Sequence, residues 1–333
     1  MRPGLPSADL ATAWVQSPLQ LLSVVEAHAQ GRTGRRTQVV LRTGSEALRQ
    51  TALALIRLRL PLGLTLVGEA EAPAPWDQRG DATWVLGDAF SGVVQRALAL
   101  HRPARIVVVD DGLAAGHLLR LLVESARPAL GQSPSAWSPA RSLLGRVAGR
   151  RLREAARAGR LQVVTSLPVD DRLASGAAAA GIAVADHGFR WLRSRPAGAA
   201  PEEGTVVLGT ALVAHGLVHA EPYLELVRTF AGDGPVAYLP HRQEPAEVLR
   251  ALAAVPGVRL CPGRLPVELS LHGLDAGQRV VGLPSRALLS LEAVLDGRGV
   301  RLKPVEVPER CWTAAATPAL RRSVRCSPLP ASA

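Results

Sequence analysis

The stretch Ala104-Arg105-Ile106-Val107-Val108-Val109-Asp110-Asp111-Gly112 governs how the rest of the chain is interpreted. Four consecutive apolar residues without polar alternation are typical of a strand covered on both faces, as in a parallel α/β sheet. Two carboxylates and a glycine then fall at the carboxyl end of that strand, the edge where open α/β sheets bind ligands. Two roles are open for Asp110 and Asp111: they cap a helix predicted from Leu113, or they take part in chemistry.

Length and composition describe a folded chain of two-domain size. The chain has 333 residues, of which 47% are hydrophobic, and a mean hydropathy of +0.14, which suits two domains with separate cores. Residues 1–9 contain one arginine and lack the apolar core of a signal peptide. Because no segment has the uncharged apolar length of a membrane span, we expect a cytoplasmic protein.

The formal net charge of +11 favours an anionic partner, such as nucleic acid, a membrane surface or a phosphorylated substrate. Lys303 is the only lysine, however, and the abundance of Arg, Ala, Gly and Pro is typical of a GC-rich genome. Aromatic residues make up only 3% of the chain, which leaves few platforms for stacking bases. We therefore expect no specific nucleic-acid partner.

The cysteines and histidines give no sign of a metal site. Cys261, Cys311 and Cys326 lie far apart, form no CxxC pair and have no histidine pair nearby, so we interpret them as reduced thiols. His215 and His219 have the i, i+4 spacing of helical metal ligands, but Gly216 between them and the lack of a third ligand favour a structural role. The sequence therefore predicts no bound metal.

Strands and helices alternate through the first half of the chain, which predicts βαβ units and a parallel sheet. Ser17-Pro18 is an N-cap followed by proline at the first helical position. No GxGxxG follows the first strand, so a dinucleotide-dependent dehydrogenase is not expected. The predicted strands are residues 11–16, 38–41, 62–67, 104–109, 161–164 and 182–185. The predicted helices are residues 18–29, 46–58, 90–101, 113–126 and 141–160.

The last of these helices is strongly basic, with seven arginines between Arg141 and Arg160. Leucines at helical spacing accompany the arginines, and a basic amphipathic helix can lie on an anionic membrane surface. An ordinary helix with a solvated basic face has the same pattern. Two interpretations of this helix therefore stay open: peripheral contact with the inner face of a membrane, or an ordinary helix with a solvated basic face.

A Pro/Gly-rich stretch at residues 193–204 predicts a linker, and the strand and helix alternation restarts beyond it. We predict an N-terminal domain at residues 10–192 and a C-terminal domain at residues 205–325. The predicted fold class is α/β, with two Rossmann-like domains facing a cleft. This arrangement resembles that of GT-B glycosyltransferases, which implies that the N-terminal domain lies on the acceptor side and that the C-terminal domain binds the nucleotide sugar. In the second domain, strands are predicted at residues 205–209, 235–239, 258–260, 279–282 and 300–302, and helices at residues 221–230, 247–254 and 286–295.

Three motifs in this order resemble the bacterial sialyltransferases and polysialyltransferases of GT-B type. They are the acidic motif Asp110-Asp111-Gly112, the histidine segment Tyr238-Leu239-Pro240-His241-Arg242-Gln243-Glu244, and Gly282-Leu283-Pro284-Ser285 with Ser290 one turn later. Gln16-Ser17-Pro18-Leu19-Gln20 and Leu208-Gly209-Thr210 also resemble that group. The chain departs from the family pattern twice, since proline precedes the histidine instead of following it, and Pro284 stands where a second serine is usual.

The resemblance implies an inverting transfer of sialic acid, or a related nonulosonic acid, from its CMP conjugate to a hydroxyl of a glycan or cell-surface polymer, without metal or cofactor. Asp110 is then the base for the acceptor, Asp111 orients it or binds the acceptor, and His241 protonates or hydrogen-bonds the leaving phosphate. The remaining implied substrate contacts are Gln16, Ser17, Gln20, Gly112, Gly209, Thr210, Pro240, Arg242, Ser285 and Ser290. Two alternatives stay open: a GT-B enzyme that uses a UDP- or GDP-sugar, and a non-catalytic two-domain binding or assembly protein.

Overall fold

Contacts divide the chain after Trp191, into an N-terminal unit and a C-terminal unit that begins at Leu192. The computed structural model describes residues 10–72, 82–109, 114–125, 128–131, 139–167 and 169–325. Residues 193–204, the predicted linker, belong to the C-terminal unit, where the backbone N–H of Gly198 donates to the ring of His272 over 3.1 Å. Within these ranges no helix combines the length and the apolarity needed to cross a bilayer.

The N-terminal unit is built on a seven-stranded parallel sheet. Its strands are β1 (Leu10–Val15), β2 (Arg36–Leu41), β3 (Leu64–Gly68), β4 (Thr83–Leu86), β5 (Arg105–Val109), β6 (Leu161–Thr165) and β7 (Ile182–Asp186). The strand order is β3-β2-β1-β4-β5-β6-β7, so the direction of winding reverses between β1 and β4. That reversal is the switch point beside which ligands bind in doubly wound sheets.

Six of the helices in the described residues connect these strands, a seventh follows β7, and serines begin three of the six. The side chains of Ser17, Ser45 and Ser91 each accept a backbone N–H from the first helical turn, so they are N-caps. The helices are α1 (Pro18–Ala29), α2 (Glu46–Arg57), α3 (Gly92–Leu100), α4 (Ala114–Glu124), α5 (Pro139–Arg157), α6 (Asp171–Ala179) and α7 (Arg190–Arg193).

The sequence patterns fail at β4 and before β3. No strand was predicted between residues 68 and 89, yet β4 lies at the centre of the sheet, and Trp84 packs edge-on against Trp14 with ring centroids 5.3 Å apart. A predicted strand began at Leu62, but Leu62 and Gly63 form a turn and β3 begins at Leu64. Since Ser91 is an N-cap, α3 begins two residues later than predicted.

The C-terminal unit repeats this plan on a five-stranded parallel sheet, in the order β10-β9-β8-β11-β12. Both units therefore have the parallel, doubly wound α/β topology that the sequence predicts. Helices α10 and α12 were not predicted. The strands are β8 (Thr205–Leu208), β9 (Val236–Leu239), β10 (Val258–Leu260), β11 (Arg279–Gly282) and β12 (Arg301–Pro304). The helices are α8 (Ala220–Gly232), α9 (Ala246–Ala253), α10 (Val267–Leu271), α11 (Arg286–Leu295) and α12 (Pro318–Arg325).

Candidate functional site

The carboxyl ends of β8 and β9 bring the glycine and histidine motifs together. Leu208 and Leu239 end the two strands in register, and the next residue, Gly209, donates its N–H to the carbonyl of Leu239 over 2.8 Å. A Cβ on Gly209 would lie 2.5 Å from the backbone nitrogen of His241 and 2.3 Å from a carboxylate oxygen of Glu244. Because real Cβ atoms do not approach so closely, only glycine allows the two loops to meet at this distance.

A buried carboxylate holds this junction. Glu244 Oε2 accepts the backbone N–H of His241 over 2.7 Å, and Oε1 accepts the N–H of Thr210 over 3.4 Å. The hydroxyl of Tyr238 also donates to Oε1. Burial raises the pKa of Glu244, although the hydrogen bonds from Tyr238, His241 and Thr210 act in the opposite direction. One side chain thus ties the loop after β8 to the loop after β9.

Two buried tyrosines extend the polar network into the core of the unit. The hydroxyl oxygens of Tyr223 in α8 and Tyr238 in β9 lie 2.7 Å apart. Since the proton of Tyr238 goes to Glu244, the hydroxyl of Tyr223 donates to that of Tyr238. Burial raises the pKa of both tyrosines, so both stay protonated. The chain Tyr223–Tyr238–Glu244 was not singled out from the sequence, because its members lie up to 21 residues apart and only the fold brings them together.

His241 is partly exposed at the carboxyl edge of the sheet, and its protonation state follows from its contacts. Its Nδ1 accepts the backbone N–H of Gln243 over 3.2 Å. Burial lowers the pKa of His241, and the charges of Arg242 and His215 lower it further. The ring is therefore neutral near pH 7, and its proton resides on Nε2, since Nδ1 acts as an acceptor. His241 accordingly offers one N–H donor beside the exposed guanidinium of Arg242.

The serine motif divides between two environments. Ser285 follows β11 on the same edge of the sheet and stands at the N-cap of α11 without bonding to it through its side chain. Ser290 is buried one turn later, and its hydroxyl donates to the carboxylate of Glu268 in α10. Ser285 thus lies on the same edge of the sheet as the histidine motif, whereas the hydroxyl of Ser290 forms its hydrogen bond inside the unit. Pro240, between β9 and His241, packs its carbonyl against Gly263.

The edge of the N-terminal unit carries Gln16, Ser17 and Gln20 in the turn between β1 and α1. Gln20 is buried; its Oε1 accepts the N–H of Gln16 over 2.8 Å, and its own N–H donates to the hydroxyl of Ser17 over 3.2 Å. The side-chain amide of Gln16 donates from Nε2 to the hydroxyl of Ser91 and accepts at Oε1 from the guanidinium of Arg42, each over 3.3 Å. These residues therefore form one hydrogen-bonded patch beside the switch point.

The acidic motif follows β5 in this sheet, but Asp110, Asp111 and Gly112 lie outside the described residues. Their predicted roles stay predictions. His187, which follows β7, is fully buried, and burial together with Arg190 lowers its pKa to about 3. It packs edge-on against Phe189 and is a neutral core side chain. In the part of the chain that the structure describes, no three His, Cys, Asp or Glu side chains gather as metal ligands.

A scan against models of protein families gives no match, and neither does a search of curated protein sequences. Solved structures give distant likenesses. A sialyltransferase from Photobacterium damsela is 12% identical, with 96% of this chain and 79% of that chain covered and a TM-score of 0.43. TcCGT1 in complex with UDP is 10% identical, covers 95% and 90%, and has a TM-score of 0.46. A UDP-glucose: anthocyanidin 3-O-glucosyltransferase in complex with UDP is 11% identical, covers 90% and 81%, and has a TM-score of 0.42.

Proposed function

We propose that the protein is a glycosyltransferase of GT-B type that takes sialic acid, or a related nonulosonic acid, from its CMP conjugate and transfers it to a hydroxyl of a glycan or cell-surface polymer. One observation carries the proposal: His241 is partly exposed at the carboxyl edge of a doubly wound sheet, with its backbone held by Glu244 and with Arg242 next to it. The order of the acidic, histidine and serine motifs along the chain supports the choice of donor.

In this mechanism the C-terminal unit stabilises the leaving group. When the bond between the anomeric carbon and the phosphate oxygen breaks, its electron pair stays with CMP, and negative charge builds up on the phosphate. His241 donates a hydrogen bond to that phosphate from Nε2, and Arg242 adds a positive charge. Ser285 supplies a further hydroxyl donor at the start of α11. No proton transfer from His241 is required, which suits a ring whose pKa is lowered.

The N-terminal unit supplies the base. Asp110 takes the proton of the acceptor hydroxyl, whose oxygen forms the new bond to the anomeric carbon on the face opposite to the leaving phosphate, so configuration inverts. Asp111 orients Asp110 or binds the acceptor. With two adjacent carboxylates, the charge on one raises the pKa of the other, as a base near neutral pH requires.

Glu244 acts as a positioning residue in this scheme. It touches neither substrate nor reacting atoms in the proposal, but it fixes the backbone of His241 and of Thr210 through its two oxygens. A donor site held in this way needs little reorganisation when the phosphate arrives, which is the source of its electrostatic effect.

The test combines calorimetry with turnover of the full-length protein. We expect CMP to bind more tightly than UDP or GDP, and His241→Ala to lower turnover of CMP-sialic acid about 100-fold or more. His219→Ala is the matched control, because His219 is an exposed histidine of the same unit whose side chain does not cap α8. Tighter binding of UDP would indicate a UDP-sugar donor instead of a CMP conjugate. Turnover by His241→Ala equal to that of the parent would contradict the proposed mechanism. A pure protein that binds no nucleotide would favour the binding or assembly module.

A further inference from the structure

The N-terminal unit carries a strongly basic surface at the amino ends of β2 and β3. Residues 27–45 and 47–68 contain seven arginines and no aspartate or glutamate. Six of the arginines are exposed. Four of these, Arg35, Arg36, Arg57 and Arg59, lie at the amino ends of β2 and β3, and none of the four has an ion-pair partner among the described residues. No described carboxylate therefore neutralises their positive charge.

Exposed aliphatic side chains lie among these arginines. The side chain of Leu62 is 98% exposed and that of Ile56 is 51% exposed. A single exposed leucine is ordinary on a protein surface. The combination differs, because both aliphatic side chains are set among unpaired cations. We call the surface formed by Arg35, Arg36, Ile56, Arg57, Arg59 and Leu62 the Leu62 face.

The turn that presents Leu62 is fixed from inside the unit. The carbonyl of Leu62 accepts from Nε2 of buried His28 over 2.9 Å, so the ring proton resides on Nε2. Nδ1 of the same ring lies 3.0 and 2.9 Å from the hydroxyls of Thr33 and Thr37, which lie 2.7 Å from each other. Leu62 is thus held out from the surface by a buried polar cluster, and its exposure is a defined feature of the fold.

The turn also sets the leucine beside the arginines. Gly63 has a φ of +86°, and a Cβ there would lie 2.2 Å from the carbonyl oxygen of Arg35, so only glycine allows this approach. Arg59 follows the C-cap of α2 with a φ of 60°, a conformation that favours glycine at this position. A cationic side chain is present there despite that preference.

We propose that the Leu62 face docks the protein onto an anionic phospholipid bilayer, with Leu62 and Ile56 entering the interfacial region and the four arginines contacting lipid phosphates. Aliphatic insertion combined with electrostatic attraction is how interfacial proteins bind such membranes. Nucleic acid fits this face less well, because residues 28–68 contain no aromatic side chain for stacking and exposed leucines gain nothing from a sugar-phosphate backbone. The proposal does not depend on the enzymatic activity proposed above.

The basic helix α5, the membrane contact suggested by the sequence, is less suited to this role. Arg141, Arg153 and Arg160 of the segment 141–160 donate to backbone carbonyls of Phe90, Leu122 and Pro103. Arg150 and Arg151 both pair with Glu154. Most of its cations are therefore engaged within the unit. Its exposed Arg146 and Arg157 provide a matched control for charge alone.

The test is co-sedimentation of the full-length protein with vesicles of phosphatidylcholine, with and without about one third phosphatidylglycerol, at physiological salt. We expect binding to the anionic vesicles only. Since each arginine near an anionic surface contributes about fivefold to partitioning, Arg35→Gln with Arg36→Gln should lower it about 25-fold. Leu62→Asn should lower it about tenfold, and Leu62→Trp should retain it. Arg146→Gln with Arg157→Gln should change it less than twofold.

Three results would overturn the proposal: equal binding to neutral vesicles, a loss in the Arg146/Arg157 pair as large as in the Arg35/Arg36 pair, or no effect of Leu62→Asn. Displacement of the protein from anionic vesicles by stoichiometric single-stranded RNA would assign the face to nucleic acid instead. Leu62 is so exposed that its variants should unfold at the parent's urea midpoint, which checks their folding. Turnover with a soluble acceptor should be unchanged in all of them.

Discussion

Gly87 and Gly209 both lie beside the switch point of their sheet, on opposite sides of the reversal, and their surroundings differ. Each directly follows a strand beside the point where the winding reverses, β4 in one unit and β8 in the other. A Cβ on Gly209 would meet backbone of the neighbouring loop and the Glu244 carboxylate, at 2.5 and 2.3 Å. A Cβ on Gly87 would meet the end of the Gln20 side chain at 2.6 Å and the carbonyl of Trp14 at 2.9 Å.

The difference shows two ways of building a sheet edge. In the C-terminal unit one buried carboxylate holds both loops, so the geometry of the histidine motif depends on a single side chain. In the N-terminal unit Gln16, Ser17 and Gln20 share neutral hydrogen bonds, and each contributes a modest part. A single substitution should therefore destabilise the edge of the C-terminal unit more than the edge of the N-terminal unit.

The largest effect is expected from Gly209→Ala. The added methyl group must push apart the loop backbone and Glu244, which combines overpacking with the loss of buried hydrogen bonds, so we expect a loss of about 3 kcal/mol in the free energy of unfolding. Urea denaturation measures it. Gly204→Ala is the control in the same unit, since a Cβ there meets nothing within 4 Å. Equal stability of the two variants would show that the close approach at Gly209 carries no weight.

Glu244→Gln should have the next largest effect, a loss of about 1–2 kcal/mol by the same measurement, because an amide cannot accept from His241, Thr210 and Tyr238 together. Its affinity for CMP should fall with it, since the His241 loop loses its anchor. Glu247→Gln, an exposed change in the first turn of α9, should cost only a few tenths of a kcal/mol. Unchanged stability with Glu244→Gln would contradict the single-anchor picture.

Gly87→Ala should cost less, about 1 kcal/mol, because the end of Gln20 can move aside at the expense of its bond to Gln16, and the carbonyl of Trp14, at 2.9 Å, has to shift only slightly. Gly68→Ala, where a Cβ meets nothing within 4 Å, provides the reference in the same unit. A loss as large as that of Gly209→Ala would mean that the two edges are equally rigid, and the comparison would fail.

The smallest expected effect is a dependence of the free energy of unfolding on pH. Burial raises the pKa of Glu244 above the 4.5 of an ordinary glutamate, so between the two values the folded protein binds more protons than the unfolded one. Stability from this group is therefore fully present below about pH 4.5 and declines as the pH rises through the folded-state pKa. The difference in unfolding free energy between wild type and Glu244→Gln should decline in that direction, since glutamine does not titrate. A difference that grows with pH would mean that the carboxylate is stabilised in its charged form.

Local signals were enough to predict the doubly wound fold but not every element of it. The β5 run and the capped start of α1 are strong patterns, and both lie where they were expected. β4 has only four residues. Its Trp84 packs against Trp14, a residue of β1 that lies 70 positions away in the sequence. The turn at Leu62 falls within a predicted strand because the sequence does not distinguish an exposed leucine from a buried one.

The candidate site was predictable in its positions and less so in its partners. Gly209 and His241 stand at strand ends, which periodicity locates. Glu244 resembles any acidic residue before a helix, and its importance rests on Tyr238 and on loop backbone that only the fold brings near. The resemblance implies a substrate contact for Ser290, one turn after Ser285, but Glu268, 22 residues upstream, engages its hydroxyl within the unit.

All strands in the sheet of the N-terminal unit run in the same direction, and this sets a distance between the two ends of the sheet. Leu62 precedes β3, whereas Gln16 follows β1, so the Leu62 face and the hydrogen-bonded patch at Gln16 lie at opposite ends of the strands. Five or six residues of strand span about 17–20 Å. A molecule docked through Leu62 would hold Gln16 and the carboxyl ends of these strands at that distance from the lipid phosphates, and an acceptor rooted in the bilayer would have to be long enough to extend across it.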